Sequence, residues 1–164
     1  MKIGILMGGI SGEREISILT GNAVLEACNK IGYDTTQIIL GENINGIIEE
    51  LQSMDKIFIS LHGGIGENGT IQGFLETLGI PYTGSGPLSS AIGMNKHISK
   101  SLVRQNGILT PNWHTIVFKD VNNDCRDLDY PLVVKPNDQG SSLGVTIVKN
   151  DIELEKAKIS AFEY

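Results

Sequence analysis

The chain has 164 residues, 40% of them hydrophobic and 20% charged, with a net charge of −6. That is enough length and apolar content for a packed core and not the make-up of a disordered polypeptide. The acidic balance argues against a nonspecific nucleic-acid binder, and with no run of about 18 apolar residues no membrane-spanning helix is expected.

Residues 3–7, Ile-Gly-Ile-Leu-Met, are a short apolar run that ends in glycines, as a buried parallel strand should. The chain enters this strand without the layout of a signal peptide. Its two cysteines, Cys28 and Cys125, show no zinc spacing. A reducing, cytoplasmic setting is therefore expected. Ser11 is read as an N-cap, followed by a helix that buries Ile16, Leu19, Ala23, Ala27 and Ile31 and stops at Gly32. Residues 35–40 read as a second strand, 44–52 as a helix, 57–61 as a third strand, and 70–78 as a helix closed by Gly79. This alternation predicts an α/β domain with a parallel sheet, which binds ligands at the carboxyl ends of its strands. The run Thr83-Gly84-Ser85-Gly86-Pro87 marks a boundary. Beyond it a helix over 88–106, β-branched segments at 114–118, 132–135 and 145–148, and a helix from Asp151 predict the beginning of an α+β domain.

Two glycine-rich loops carry the chemistry, one on each side of that boundary. The first is Met7-Gly8-Gly9-Ile10-Ser11-Gly12-Glu13-Arg14-Glu15, placed to receive a small charged molecule at a helix start. Its glycines do not have the GxGxxG spacing of dinucleotide folds. In the functional reading Glu13 holds a substrate ammonium; by itself the segment reads as a helix-start acid. His62 is delivered by a strand into a loop containing Gly63, Gly64, Gly66 and Gly69, where the backbone can approach a ligand closely. There it could polarise a carboxylate or phosphate, while a solvent-facing turn is the plainer reading. His97 and His114 lack such a setting and read as structural or surface residues.

The second loop follows Lys135 and contains Gly140, Ser141, Ser142 and Gly144. Its amides and hydroxyls suit a phosphate and its lysine supplies positive charge, although no Walker A motif is present. Lys96 is a further candidate cation, which taken alone reads as a solvated helix lysine. The two loops together point to an enzyme that uses ATP on a small zwitterion.

Read as a set, these segments resemble a D-alanine–D-alanine ligase of the ATP-grasp superfamily. The matching positions are Gly8-Gly9-x-Ser11-x-Glu13-Arg14-Glu15-x-Ser17, His62-Gly63 with Gly66-Glu67, and Gly69-Thr70-x-Gln72-Gly73. They continue through Pro81-Tyr82-Thr83-Gly84-Ser85-Gly86, Lys96, Lys135-Pro136 and Gly140-Ser141-Ser142-x-Gly144. The likeness covers essentially the whole chain, in order. It implies a Rossmann-like pre-ATP-grasp domain over 1–86 and the first part of an ATP-grasp domain over 87–164.

The resemblance also implies roles. Glu13 would hold the ammonium of the first D-alanine, with His62 near the reacting carboxylate. Lys96 and Lys135 would contact ATP phosphates, and Ser141 and Ser142 would lie over them, Ser141 also orienting Glu13. ATP would phosphorylate one D-alanine, and the amine of the second would attack the acyl phosphate to give the dipeptide used in peptidoglycan. A homodimer is the family's usual state. Asn68 and Asn95 depart from it, standing where aspartate is usual.

The family continues for about as long again, and that half is expected to supply an arginine and the acidic and asparagine ligands of Mg2+. This chain is therefore expected to be an inactive N-terminal fragment with no metal ligands of its own. The competing readings are a ligase joining D-alanine to D-lactate, a non-catalytic module that binds a ligand or partner, and, last, a nicotinamide-dependent enzyme.

Overall fold

β1 (Lys2–Gly8) runs between β2 (Asp34–Leu40) and β3 (Lys56–Ile59), and both pairings are parallel. Its central place explains its apolar sequence, because a strand covered on both faces has no solvent side. Ile5, Leu6 and Met7 are all fully buried. Even Gly4 is dictated by crowding: a Cβ there would stand 2.7 Å from the Cδ1 atoms of both Ile38 and Ile57. The sheet gains one more rung where Ile57 bridges in parallel to Tyr82, its N–H donating to Pro81 O over 2.8 Å.

The structure is a computed structural model and describes residues 1–118 and 127–164; Cys125 lies outside them. The chain divides into two compact units, Met1–Ile92 and Gly93–Tyr164.

In the first unit α1 (Arg14–Lys30) covers β1 and β2, but not with the face its periodicity predicts. Ile16, Leu19 and Ile31 are 51%, 66% and 73% exposed, and Ala23 and Ala27 are exposed too. The buried positions are Ser17 and Gly21. Small residues win here because the helix lies so close to the strand that a Cβ at Gly21 would meet Met7 Cβ at 2.8 Å. Ser17 is tolerated at full burial because its hydroxyl is satisfied twice, accepting from Gly8 N at 2.9 Å and donating to Ser60 O at 2.8 Å. An unpaired buried hydroxyl would cost about 1–3 kcal/mol.

Gly32, at φ 85°, ends α1 as expected, with Tyr33 N bonded to Cys28 O and Gly32 N to Asn29 O. The expected helix over 44–52 begins instead as a 3-10 turn, Ile44–Ile47, before α2 (Ile48–Gln52). Asn45 and Gly46 are poor helix formers, which accounts for the tighter start. The third strand stops at Ile59, two residues short of its expected end. α3 (Thr70–Thr77) lies where its sequence places it and closes through Gly79 at φ 70°. It brings Ile71 and Leu75 to a core of Leu6, Ile38, Leu51 and Ile57. Each large aliphatic side chain fully buried there contributes about 1.5–3 kcal/mol.

The single helix expected over 88–106 is two, α4 (Pro87–Met94) and α5 (Lys96–Gln105). Asn95 separates them: its backbone is extended, and its side chain accepts from Ile98 N at 2.9 Å, starting a new helix.

In the second unit β4 (Leu132–Val134) and β5 (Thr146–Val148) pair antiparallel. α6 (Asp151–Ala161) packs on them through Leu154 and Ala157, against Val148, Leu132 and Val134. The segment 114–118 is not a strand. The stretch leading into it is tied to α5 by side chains instead. Trp113 Nε1 donates to His97 Nδ1 over 3.0 Å, and the Trp113 ring receives the Arg104 guanidinium at 4.3 Å and the Lys100 ammonium at 5.0 Å. Lys100 also donates to Thr110 Oγ1 over 2.7 Å.

Candidate functional site

The first cluster lies at the carboxyl end of the parallel sheet. The loop after β1 carries Ser11 and Glu13, and the loop after β3 carries His62 and Gly63. Ser11 is not a helix cap. Its hydroxyl donates to His62 O over 2.6 Å and accepts from Glu13 N at 3.2 Å, so it joins the two loops. Glu13 takes the N-cap position of α1, where a carboxylate is favoured by the helix dipole. Its Oε2 lies 2.7 Å from where a Cβ at Gly63 would stand, and Gly63 holds a φ of 66°. The carboxylate is thereby laid over the backbone of the histidine loop, at a position only glycine allows. The loops enclose a cavity of about 120 Å³ lined by Gly9, Ser11, Leu61, His62 and Gly63 among others.

His62 is half-buried, with Nε2 3.2 Å from Thr20 Oγ1. Arg14 faces away from this chemistry. Its guanidinium donates to Gly9 O at 2.7 Å and Leu40 O at 2.8 Å, locking the ends of β1 and β2 together.

The second cluster lies in the second unit. Lys135 directly follows β4 and is exposed. The loop beyond it turns through left-handed backbone at Ser141 (φ 49°), Ser142 (φ 62°) and Gly144 (φ 64°). Two consecutive serines in that region each cost about 1–3 kcal/mol, a strain that collects at ligand-binding turns. Lys96 is not the solvated lysine its helix setting implies. It is half-buried, and its ammonium donates to Gln139 O at 2.6 Å and Asn137 O at 3.3 Å. Burial first, and then the positive charge of Lys135, hold its pKa below the ordinary lysine value, with Asp138 acting the other way. Lys100 is likewise held down by burial, then by Lys135 and Arg104. Lys96, Lys100 and Arg104 stand at every fourth residue of α5, so three cations crowd one face of one helix.

Two family models match this chain. One describes the D-ala D-ala ligase N-terminus and covers residues 42–85; the other describes the D-ala D-ala ligase C-terminus and covers residues 102–164. The chain belongs to the D-alanine–D-alanine ligase family. It is 46% identical over 166 residues to a D-alanine–D-alanine ligase of Bacillus anthracis, covering 100% of this chain and 54% of that protein. The crystal structure of a ligase from the same organism superposes with a TM-score of 0.85 at 43% identity, over 99% of this chain and 54% of the other. A second crystal structure from it, complexed with ATP, gives a TM-score of 0.83 at 41% identity over 99% and 55%. The chain thus spans about half the length of the curated relatives it matches.

The two unusual asparagines do what an aspartate would do in the same place. Asn68 Oδ1 accepts from both Thr70 N (3.1 Å) and Thr70 Oγ1 (2.6 Å) at the start of α3, and Asn95 caps α5. Both helix starts use only the acceptor, which asparagine retains. The sequence reading missed Thr20 and, although Gln72 is one of the matching positions, gave it no role. Gln72 is buried and donates to Gly66 O over 2.8 Å, bracing the histidine loop from α3. Thr20 stands seven residues beyond Glu13, two helical turns on, and that spacing is the signal that would have found it. His97 and His114 have structural partners, Trp113 and Asp127.

Proposed function

We propose that this chain provides the ammonium-binding and phosphate-binding surfaces for an ATP-dependent joining of two D-alanines. The observation that carries the reading is the Glu13 carboxylate held over Gly63 at the carboxyl edge of a parallel sheet. A fixed carboxylate at a ligand edge suits a small ammonium, and membership of the ligase family supports D-alanine as its bearer. We assign residues 1–86 to the pre-ATP-grasp domain and 87–164 to the first part of the ATP-grasp domain.

In this reading Glu13 binds the ammonium of the first D-alanine, and His62, steadied by Thr20, lies near its carboxylate. Lys96 and Lys135 neutralise ATP phosphates, and Ser141 and Ser142 donate to them. A carboxylate oxygen attacks the γ-phosphorus while the bond to ADP breaks, giving an acyl phosphate. The amine of the second D-alanine then attacks the carbonyl carbon and loses a proton, and phosphate leaves. The protein contributes position and charge neutralisation at each step. The product serves peptidoglycan synthesis in the cytoplasm.

Magnesium supplies charge neutralisation to such transfers. Among the described residues no group of three or more His, Cys, Asp or Glu gathers to hold a metal. The described residues by themselves do not fit that ion. We propose that the 164-residue polypeptide, which spans about half the length of its curated relatives, does not complete the ligation unaided. The exposed stripe Ile16, Leu19, Ala23 and Ala27 on α1, continued by Ile31 at its C-cap, supports a homodimer.

Calorimetric titration of two variants tests the assignment. Glu13→Gln should weaken D-alanine binding about 10–100-fold, the worth of a charge-assisted hydrogen bond, and leave ATP binding unchanged. Lys135→Ala should do the reverse. D-alanine affinity unaltered by Glu13→Gln would sink the ammonium role.

A further inference from the structure

We propose that Asn137 is a positioning residue that fixes the first arm of the phosphate-binding loop to the N-terminus of α5. The proposal rests on the assignment of residues 135–144 to ATP phosphates. A helix start presents amides without partners inside the helix, and these ordinarily attract an anion. At α5 the first three are already engaged. Lys96 N donates to Asn137 O over 3.0 Å, His97 N to Asn137 Oδ1 over 3.0 Å, and Ile98 N to Asn95 Oδ1 over 2.9 Å. The helix start therefore grips the loop and is not open to a phosphate.

Lys96 strengthens the grip from its side chain, reaching Asn137 O and Gln139 O. Residues 137–139 thus have four hydrogen bonds to one turn of helix. The left-handed turn through Ser141, Ser142 and Gly144 follows directly. The loop has a fixed arm and a turning arm, and Asn137, using both its backbone and its side-chain oxygen, sets where the second begins. Ordering a loop opposes ligand binding entropically, so holding one arm in advance raises affinity.

The test is ATP titration of this chain, with amide hydrogen exchange at His97 as the direct report on the contact. Asn137→Ala should speed exchange at the His97 amide and weaken ATP about 5–10-fold, with D-alanine affinity unchanged. Asn137→Ser, which keeps a short acceptor, should recover part of both; it also serves as the test variant should Asn137→Ala fail to fold. Faster exchange with parental ATP affinity, while Lys135→Ala still weakens ATP, would overturn the positioning role and leave the phosphate assignment standing. If Lys135→Ala also left ATP unaffected, or the unchanged chain bound none, the phosphate assignment would fall and this proposal with it.

Discussion

Ser11 and His62 are 51 residues apart in sequence, and the Ser11 hydroxyl donates to the His62 carbonyl oxygen over 2.6 Å while accepting from Glu13 N. One side chain thereby sets the spacing between the carboxylate loop and the histidine loop. Ser11→Ala should cost about 1 kcal/mol of stability, the usual net worth of such a bond, and Ser11→Thr should retain most of it. Thermal unfolding of the two variants checks this, and equal midpoints for Ala and parent would show the bridge to be energetically idle.

Gly63 is where backbone geometry and charge meet. A methyl group there would be strained at φ 66° and would stand 2.7 Å from Glu13 Oε2. Gly63→Ala should therefore displace the carboxylate, lowering D-alanine affinity about tenfold with ATP affinity retained. Calorimetry with each ligand separates the two, and a parental D-alanine affinity would mean that the position of the carboxylate is unimportant.

The two faces of α1 should respond oppositely to mutation. Leu19→Lys, on an exposed apolar stripe, should leave the stability of the monomer within about 0.5 kcal/mol of the parent and weaken the proposed self-association. Gly21→Ala gains about 1 kcal/mol of helix propensity but overpacks Met7, which costs about 1–3 kcal/mol, so a net loss is expected. Chemical denaturation together with sedimentation measures both; a stabilised Gly21→Ala would refute the close packing.

Lys96 gives a pH dependence. Its folded-state pKa lies below the ordinary 10.5, through burial first and Lys135 second. Between the folded value and 10.5 the unfolded chain binds more protons, so the contribution of Lys96 to stability rises with pH across that window. Phosphate affinity should move the other way, declining at alkaline pH before 10.5 is reached as the folded lysine loses its charge. Lys96→Arg stays charged and should flatten that decline. ATP titrations on the alkaline side decide it; an identical decline in the Arg variant would assign the loss to another group.

Local chemistry made much of this protein legible. The apolar run of β1, the glycines that end α1 and α3, and the glycine-rich setting of Glu13, His62 and Lys135 depend on residues near one another in sequence, and the structure places them accordingly. Where reading failed, the deciding partner was distant. α1 presents two stripes at helical spacing, and the larger side chains of Ile16 and Leu19 made the wrong one look buried. Only the proximity of Met7 explains why Ser17 and Gly21 face inward. The segment 114–118 has β-branched residues but is not a strand, and Trp113 just before it is held by His97, Lys100 and Arg104 from α5. Lys96 reads as a solvated lysine until the carbonyls of Asn137 and Gln139, more than 40 residues away, arrive at its ammonium. The sequence by itself determined which residue types were available for binding and where α1 and α3 close, since the backbone freedom of Gly32 and Gly79 is a short-range property. Only the tertiary structure decided which faces are buried and which charges are engaged, since those depend on packing and hydrogen bonds between residues far apart in the chain.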